Sequence, residues 1–281
     1  MSGNFKRYLN MYEWETVLPG SGKTVKYKPI TTGQIKRLLL YNDVEDEKVI
    51  ESALDSLISE CVVTEGFNVG DLYLQDRFFL MVEIRNVTKG YKYTFPSKCL
   101  ACNSQTFQTV DLSKLVVKKL ETGENIVPVV PVVTPKKKGK LELVEPVKAP
   151  VSITESKVPW NYLKINDNLA VTLNILTRNM QDSLFEMLKD KSLTEYQKQI
   201  EMNIYGCAVA IENIITPDGV ENGLTFEDKL FFIENLTQSE KEKIDEWFNT
   251  HDFGLDFKFK VKCIHCENET ERVIPLDNFF Y

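Results

Sequence analysis

Histidine, the side chain that enzymes use most often for proton transfer, is scarce in this chain. Among 281 residues there are two, His251 and His265. Neither adjoins a plausible serine or cysteine nucleophile, so Ser–His and Cys–His catalysis have little to work with. No apolar run approaches the ~20 residues that a membrane span requires. No charged segment followed by an apolar one opens the sequence, so we expect no signal peptide and a soluble, intracellular protein.

An excess of positive charge is also lacking. The formal net charge is −7 and the isoelectric point is about 5.2. Because nucleic-acid binders usually present a basic face, the composition predicts no nucleic-acid partner. Paired carboxylates within 43–46 and 240–246 lie at helix starts or on polar helix faces, a pattern typical of solvated surface. The apolar fraction of 43% supports packed cores, and the length suits two ordinary domains.

The string Gly20-Ser-Gly-Lys-Thr24 matches the end of a phosphate-binding loop. The full motif, G-x-x-x-x-G-K-[ST], needs a glycine at the position of Val17. A phosphate loop also follows a buried strand and opens a helix, whereas Thr24–Pro29 alternates like a strand. We therefore predict a β-hairpin whose turn is 19–22. A nucleotide hydrolase acting through Gly20–Thr24 is the weakest of the functional alternatives.

Apolar residues at helical spacing follow this hairpin. Thr31 or Thr32 is predicted to cap a first helix, Asp43 a second, and Asp71 to begin a third. The period then changes, because aromatic residues alternate with polar ones over 91–95, which predicts a strand.

The second half repeats this order of helices and strand. Two capping-box patterns, Thr225-x-x-Asp228 and Thr237-x-x-Glu240, mark helix starts. Alternation over 255–259 predicts a strand. The predicted helices cover 179–189, 193–215, 226–236 and 239–249. The sequence thus indicates an α+β fold of two mainly helical units, each followed by a β-ribbon.

The segment 121–159 separates the two halves and holds six of the eleven prolines. Proline removes amide donors, so we predict an extended linker that lies along a surface or adds an edge strand to a partner. Its lysine run, 136–140, is short and isolated, which is more typical of a solvated stretch than of a nucleic-acid arm. The predicted division is 1–120, 121–159 and 160–281.

Four of the six cysteines form two C-x-x-C pairs, Cys99/Cys102 and Cys263/Cys266. The surrounding ribbons match at a constant offset of 164 residues, from the aromatic alternation through the cysteines. Internal duplication explains this match, and so does a common physical demand on two half-sites. The remaining cysteines, Cys61 and Cys207, stand among apolar residues and are predicted to be small core side chains.

A C-x-x-C turn between two strands points two thiolates to one side, and structural zinc takes four such ligands. The favoured hypothesis is one zinc ion held by both pairs. About 160 residues separate the pairs, an unusual span, but loop-closure entropy grows only logarithmically with length. Zinc on one pair with another ligand, a metal-free turn, redox dithiols and disulfides stay open. His265 is predicted to face solvent inside the second turn, and His251 to lie near a helix C-terminus.

Eight short stretches, the two cysteine pairs among them, follow one another in an order that is typical of a known family. They are 18–29 before a leucine-rich helix, 71–85, Cys99–Cys102, 110–112, 231–236, 244–248, Cys263–Cys266 and 276–280. As an ordered set they resemble the baseplate hub assembly family of T-even-like contractile-tailed bacteriophages. The chain departs from the family's pattern in its length, its proline-rich linker, and Glu267, where a glycine is expected.

The resemblance implies a non-enzymatic protein of the phage tail baseplate that acts in hub assembly or structure through contacts with other tail proteins. It implies the host cytoplasm during assembly, and the virion tail as a further location. Candidate contact surfaces are the helix carrying Phe78-Phe79 and the terminal Phe279-Phe280-Tyr281, which alternatively pack on the ribbon. A zinc-ribbon adaptor for nucleic acid is the alternative class, although Glu267, Glu269 and Glu271 offset the nearby lysines.

Overall fold

A computed structural model describes residues 12–41, 44, 46–123, 125–129, 154–189, 192–275 and 279–280. The fold mixes helices with short strands, as the predicted α+β class requires. The helices are α1 (Thr32–Leu38), α2 (Glu47–Cys61), α3 (Leu74–Lys89), α4 (Arg178–Leu188), α5 (Glu195–Ala210), α6 (Phe226–Glu234) and α7 (Gln238–Thr250). None of these helices is both long enough and apolar enough to cross a membrane.

The strands are all short and pair in antiparallel ladders. In the first half they are β1 (Trp14–Val17), β2 (Thr24–Tyr27), β3 (Lys92–Lys98), β4 (Gln105–Asp111), β5 (Val117–Lys118) and β6 (Asn125–Val129). In the second half they are β7 (Thr154–Val158), β8 (Tyr162–Lys164), β9 (Ala170–Leu173), β10 (Ile211–Thr216), β11 (Gly219–Glu221), β12 (Gly254–Leu255), β13 (Lys258–Lys262) and β14 (Glu269–Val273).

Side chains cap the starts of α1 and α2, whereas no side chain caps α3. Thr31 caps α1 in a capping box with Gln34, as predicted. The prediction that Asp43 caps α2 is wrong, because the carboxylate of Asp46 accepts from the first amides of that helix; Asp43 itself lies outside the described residues. Helix α3 begins at Leu74 rather than at Asp71, because 69–71 forms a separate 3-10 turn.

The second half is less helical than predicted. Strands β8 to β11 form a four-stranded sheet in the order β11-β10-β9-β8. The helix predicted over 193–215 ends at Ala210, and β10 takes over at Ile211. The isoleucine-rich sequence of β10 explains the change, because β-branched side chains pack well on a pleated surface. The predicted caps Thr225 and Thr237 are confirmed.

The proline-rich segment contributes a ladder of its own. Strand β6 pairs with β7 from Asn125↔Val158 to Val129↔Thr154, so the two ends of the predicted linker pair with each other. The predicted extended linker did not include this pairing within the chain. The lysine run at 136–140 lies outside the described residues. The three-part division of the chain stays a prediction.

Three apolar clusters form the core of the described residues: a small one around Leu184, Leu188 and Tyr205, and two larger ones that each take residues from both halves of the sequence. The first larger cluster contains α2, α3 and β3 together with Ile274, Phe279 and Phe280. The second contains β9, β10 and α5 to α7, with Tyr73 and Leu120 packed against it. Both halves therefore fold as parts of one packed structure.

The C-terminal aromatic residues are not an exposed anchor, contrary to one expectation. Phe279 and Phe280 are 2% and 6% exposed, and the Phe279 ring lies 5.1 Å from that of Tyr93. They pack on the first ribbon, which was the competing interpretation. Phe79 is buried and Phe78 is partly buried in α3; Leu276 and Tyr281 lie outside the described residues.

A buried ionic network also joins the halves. The Asp55 carboxylate of α2 accepts from Arg77 Nε of α3 at 2.6 Å and from Arg178 Nε of α4 at 2.8 Å. Both arginines are 1% exposed. Glu51 and Asp182 complete the network. Buried charges are tolerated where they are paired in this way, so this network fixes α4 against α2 and α3.

Candidate metal centre

Each C-x-x-C pair lies at the turn of a two-stranded ribbon. The first ribbon is β3–β4 and the second is β13–β14. In the first turn, Cys99 N–H donates to Ser104 O and Asn103 N–H donates to Cys99 O, both at 2.9 Å. In the second turn, the equivalent bonds from Cys263 and Glu267 have the same length. The predicted offset of 164 therefore extends to the backbone hydrogen bonds.

The residue after each cysteine pair adopts a left-handed backbone. The φ angle is +60° at Asn103 and +56° at Glu267. This region is open to glycine and accessible to asparagine, but it is unfavourable for glutamate. The positive φ angle at Glu267 therefore explains why the family resemblance leads one to expect glycine there.

The two turns face each other and bring four sulfur atoms together. The Sγ atoms of the four predicted ligands, Cys99, Cys102, Cys263 and Cys266, all lie within 4.8 Å of one another. Cys99 Sγ is 3.7 Å from Cys266 Sγ, and Cys102 Sγ is 3.7 Å from Cys263 Sγ. A tetrahedron with Zn–S distances of about 2.3 Å has edges of about 3.8 Å. The donor set and its spacing fit a four-thiolate zinc ion.

Ser104 is a member of the site that the motif did not reveal. Its Oγ lies 3.0 Å from Cys102 Sγ and 3.4 Å from Cys263 Sγ, so one hydroxyl contacts cysteines of both pairs. Its hydrogen bond and the backbone N–H groups of Cys266 and His265 lower the pKa of Cys263 to about 5. Ser104 also lowers the pKa of Cys102. These donors stabilise the thiolate form, which is the form that binds metal.

The fourth thiol behaves differently. The backbone at Asn268 lowers the pKa of Cys266, but hydrogen bonding to Cys102 and burial oppose it, and the pKa rises to about 12. Four crowded sulfurs cannot all ionise without a cation between them, because like charges repel. A bound metal ion removes this conflict by favouring the thiolate at every ligand.

The remaining cysteines and histidines stay out of the cluster, as predicted. Cys61 and Cys207 are 1% and 3% exposed, and burial raises the pKa of Cys61 to about 11. His265 is exposed in the second turn. His251 follows α7, where its ring stacks on Trp247 at 4.3 Å and its Nδ1 contacts the Trp247 carbonyl at 2.8 Å.

The loop with the phosphate-loop string holds a carboxylate of the chain itself. Gly20 and Ser21 donate their backbone N–H groups to the two oxygens of the buried Asp76, at 2.6 and 2.8 Å. The loop joins β1 to β2 as a hairpin, as predicted. A side chain at Gly20 would collide with the ring of Phe253, with Cβ at 2.1 Å from the nearest ring atom. The amides that a phosphate would need are therefore occupied.

The chain thus has an α+β fold in which two C-x-x-C turns, far apart in the sequence, form one cluster of four sulfur atoms. The model of the family described as T4 bacteriophage base plate protein matches residues 11–281, so the chain belongs to that family. It is a T4-like phage baseplate protein, as the resemblance implied. Comparison with curated proteins and with solved structures found no match.

Proposed function

We propose that this baseplate protein is a non-enzymatic scaffold of the baseplate hub, and that one structural Zn²⁺ staples its two halves. The ligands are Cys99, Cys102, Cys263 and Cys266, arranged as a split zinc ribbon. The observation that carries the proposal is the convergence of four sulfurs within 4.8 Å from turns that lie far apart in sequence. Family membership supports the baseplate role.

The type of site argues for a structural ion. Four thiolates complete a tetrahedron and leave no open position for water or substrate, whereas catalytic zinc keeps one. A pre-formed site does not survive unfolding, so the free energy of zinc binding adds to the free energy of folding. The ion would therefore hold the ribbons together while helical surfaces contact other tail proteins, first in the host cytoplasm and then in the virion baseplate.

Zinc content tests the staple directly. We expect one zinc per chain, measured by elemental mass spectrometry after purification in metal-free buffer. The variant Cys263→Ser/Cys266→Ser should carry none and melt at a lower temperature. The matched control Cys207→Ala removes a thiol outside the cluster and should retain the ion. Wild-type protein without zinc, and without recovery of zinc on titration, would contradict the site.

Hub scaffolding is tested by binding. The purified chain should co-purify with defined hub proteins of the same phage after co-expression, each tested singly. The zinc-free variant should lose this binding in proportion to its unfolded fraction. Binding to none of the hub proteins, by a chain that is folded and loaded with zinc, would contradict the scaffolding role and leave the zinc site standing.

A further inference from the structure

The four ribbon strands differ in how their solvent-facing positions are protected. Strand β3 carries Lys92, Pro96 and Lys98, β13 carries Lys258, Lys260 and Lys262, and β14 carries Glu269 and Glu271. Charges and proline at such positions are the usual protection of an edge strand against pairing with another chain. The exposed positions of β4 are Gln105, Phe107 and Thr109, and none of them is charged or a proline.

The backbone of β4 also has an open edge. Two bonds fix the register of the ribbon, Cys99 N–H to Ser104 O and Leu112 N–H to Tyr91 O. Because hydrogen-bonded positions alternate along an antiparallel strand, the N–H and C=O groups of Phe107 and Thr109 point away from β3. Among the strands that the structure describes, β4 pairs with β3 alone.

An apolar side chain marks the centre of this edge. Phe107 is 78% exposed, although it lies in a regular strand, and its cross-strand neighbour is Pro96. An exposed phenylalanine beside unpaired backbone groups is the arrangement that extended segments recognise when they add a strand to a sheet. Backbone pairing supplies affinity in that mode, and the side-chain contacts supply specificity.

Positive charge lies at one end of the edge. A groove of about 430 Å³ between β4 and β13 is lined by Lys114, Lys258 and Lys260. Among the described residues none of these lysines lies within ion-pair distance of a carboxylate, although Lys260 is opposite Glu271 across the second ribbon. Hydrogen bonding from Ser113 and the attraction of Lys114 lower the pKa of Asp111. The groove also contains two carboxylates. Asp111 accepts hydrogen bonds from the N–H and the hydroxyl of Ser113, and Asp256 accepts one from the backbone N–H of Lys258.

We propose that β4 binds an extended segment of a partner protein in antiparallel register. The segment would place an apolar side chain against Phe107 and acidic residues, at its N-terminal end, against the lysines of the groove. This inference rests on the proposed scaffolding function, because it names the kind of segment that a tail protein would contribute. A second copy of β4 fits less well, since antiparallel pairing would bring its neutral Gln105 end, and no carboxylate, to the groove.

A labelled peptide tests the proposal on the full, zinc-loaded chain. The probe is Glu-Glu-Glu-Thr-Val-Thr-Val-Thr, acetylated and fluorescent, and its control replaces the glutamates by lysines. Fluorescence anisotropy should give at least about tenfold tighter binding for the acidic probe, as expected from a few charge contacts. In amide exchange followed by NMR, the probe should protect the N–H groups of Phe107 and Thr109.

A matched pair of variants locates the binding. Thr109→Pro removes an outward N–H but no backbone bond between β3 and β4, although it also removes the hydroxyl that contacts Thr94 Oγ1 at 2.8 Å. Val273→Pro removes the outward N–H at the equivalent position of β14. Thr109→Pro should raise the Kd of the probe about tenfold, because one backbone hydrogen bond is lost and the proline ring clashes locally. Val273→Pro should leave the Kd unchanged. If Thr109→Pro does not fold, amide protection in the wild type decides the matter.

Four outcomes would overturn the proposal. They are no binding at millimolar probe, equal binding of the lysine peptide, binding without protection of the β4 amides, and equal binding of a single-stranded oligonucleotide. Protection of these amides by the protein's own dimerisation, seen as a concentration-dependent mass in light scattering, would assign the edge to a second copy. Zinc content is measured separately, so failure of the edge is distinguishable from failure of the staple.

Discussion

The two ribbons share a backbone and differ in their surfaces. Both ribbons turn at a C-x-x-C pair with equivalent backbone hydrogen bonds, and in both the residue after the second cysteine has a positive φ angle. On the solvent side of β13–β14, Lys260 is opposite Glu271 and Lys262 is opposite Glu269. The corresponding pair of the first ribbon is Pro96 and Phe107. The centre of one outer face therefore pairs opposite charges across its strands, while the centre of the other is apolar and has Lys92 and Lys98 near its ends.

This difference separates the demands of the site from the demands of the surface. Presenting two sulfurs to one cluster fixes the turn, the cysteine spacing and the register in both ribbons. Nothing in the cluster constrains the outer faces, so these diverge. The ribbon with cross-strand charge pairs is protected by them. The other ribbon leaves its edge available for a contact.

The largest expected effect comes from removing a cysteine pair, and it tests whether the two ribbons contribute equally to metal binding. Cys99→Ser/Cys102→Ser should abolish zinc binding as completely as Cys263→Ser/Cys266→Ser does, because both pairs contribute to one tetrahedron. Each variant should lose at least about 4 kcal/mol of stability at free zinc a thousandfold above Kd. Chemical denaturation with zinc analysis checks both quantities. Half a zinc, or a whole one, remaining in either variant would mean that the pairs bind metal separately.

The inner faces are expected to be unequal. Phe95 is 4% exposed, whereas its partner Phe259, at 5.4 Å between ring centroids, is only partly buried. Phe95→Ala should cost about 3 kcal/mol, and Phe259→Ala about half as much, because less surface leaves water there. Denaturant titration measures both losses. In the double variant the losses should be less than additive by about 1 kcal/mol, and strict additivity would contradict the packing of the two rings.

Local sequence signals predicted the parts of the structure that local physics decides. The hairpin turn at 19–22, the capping boxes of Thr225 and Thr237, and both ribbon turns depend on residues a few positions apart. The four cysteines of the candidate site also came from their spacing and from the chemistry of zinc. Their convergence was a hypothesis, because pattern alone does not say that distant turns meet.

The contributions that the sequence did not indicate depend on long-range packing. Asp55 carries no motif, and its bonds to Arg77 and Arg178 arise only when α2, α3 and α4 assemble. Ser104 is an ordinary turn residue until the second ribbon brings Cys263 to it. The burial of Phe279 likewise depends on where β3 lies. For β10, helical and strand periods could not be distinguished, because its apolar residues directly continue those of α5.

The left-handed residues sharpen the comparison at a smaller scale. Glu267→Gly should stabilise the protein by about 1 kcal/mol, since glycine adopts a positive φ without strain. The glutamate's exposed ion pair with Lys262, at 3.7 Å, offsets little of this. Asn103→Gly should change stability by only a few tenths of a kcal/mol, because asparagine already tolerates this region. Thermal denaturation of both variants measures the effect, and an equal gain at the two positions would contradict the reasoning.

The smallest effect concerns the outer faces themselves. Glu271→Gln leaves Lys260 without its cross-strand partner and should cost about 0.5 kcal/mol at low salt. Because both side chains are exposed, the loss should largely disappear at 1 M salt, where the Debye length is about 3 Å. The matched variant Phe107→Gln occupies the equivalent position of β4, and its effect should not depend on salt, since no charge is involved. Urea titration, which leaves the ionic strength unchanged, gives both values. A salt-independent loss for Glu271→Gln would mean that packing, and not charge pairing, distinguishes the two outer faces.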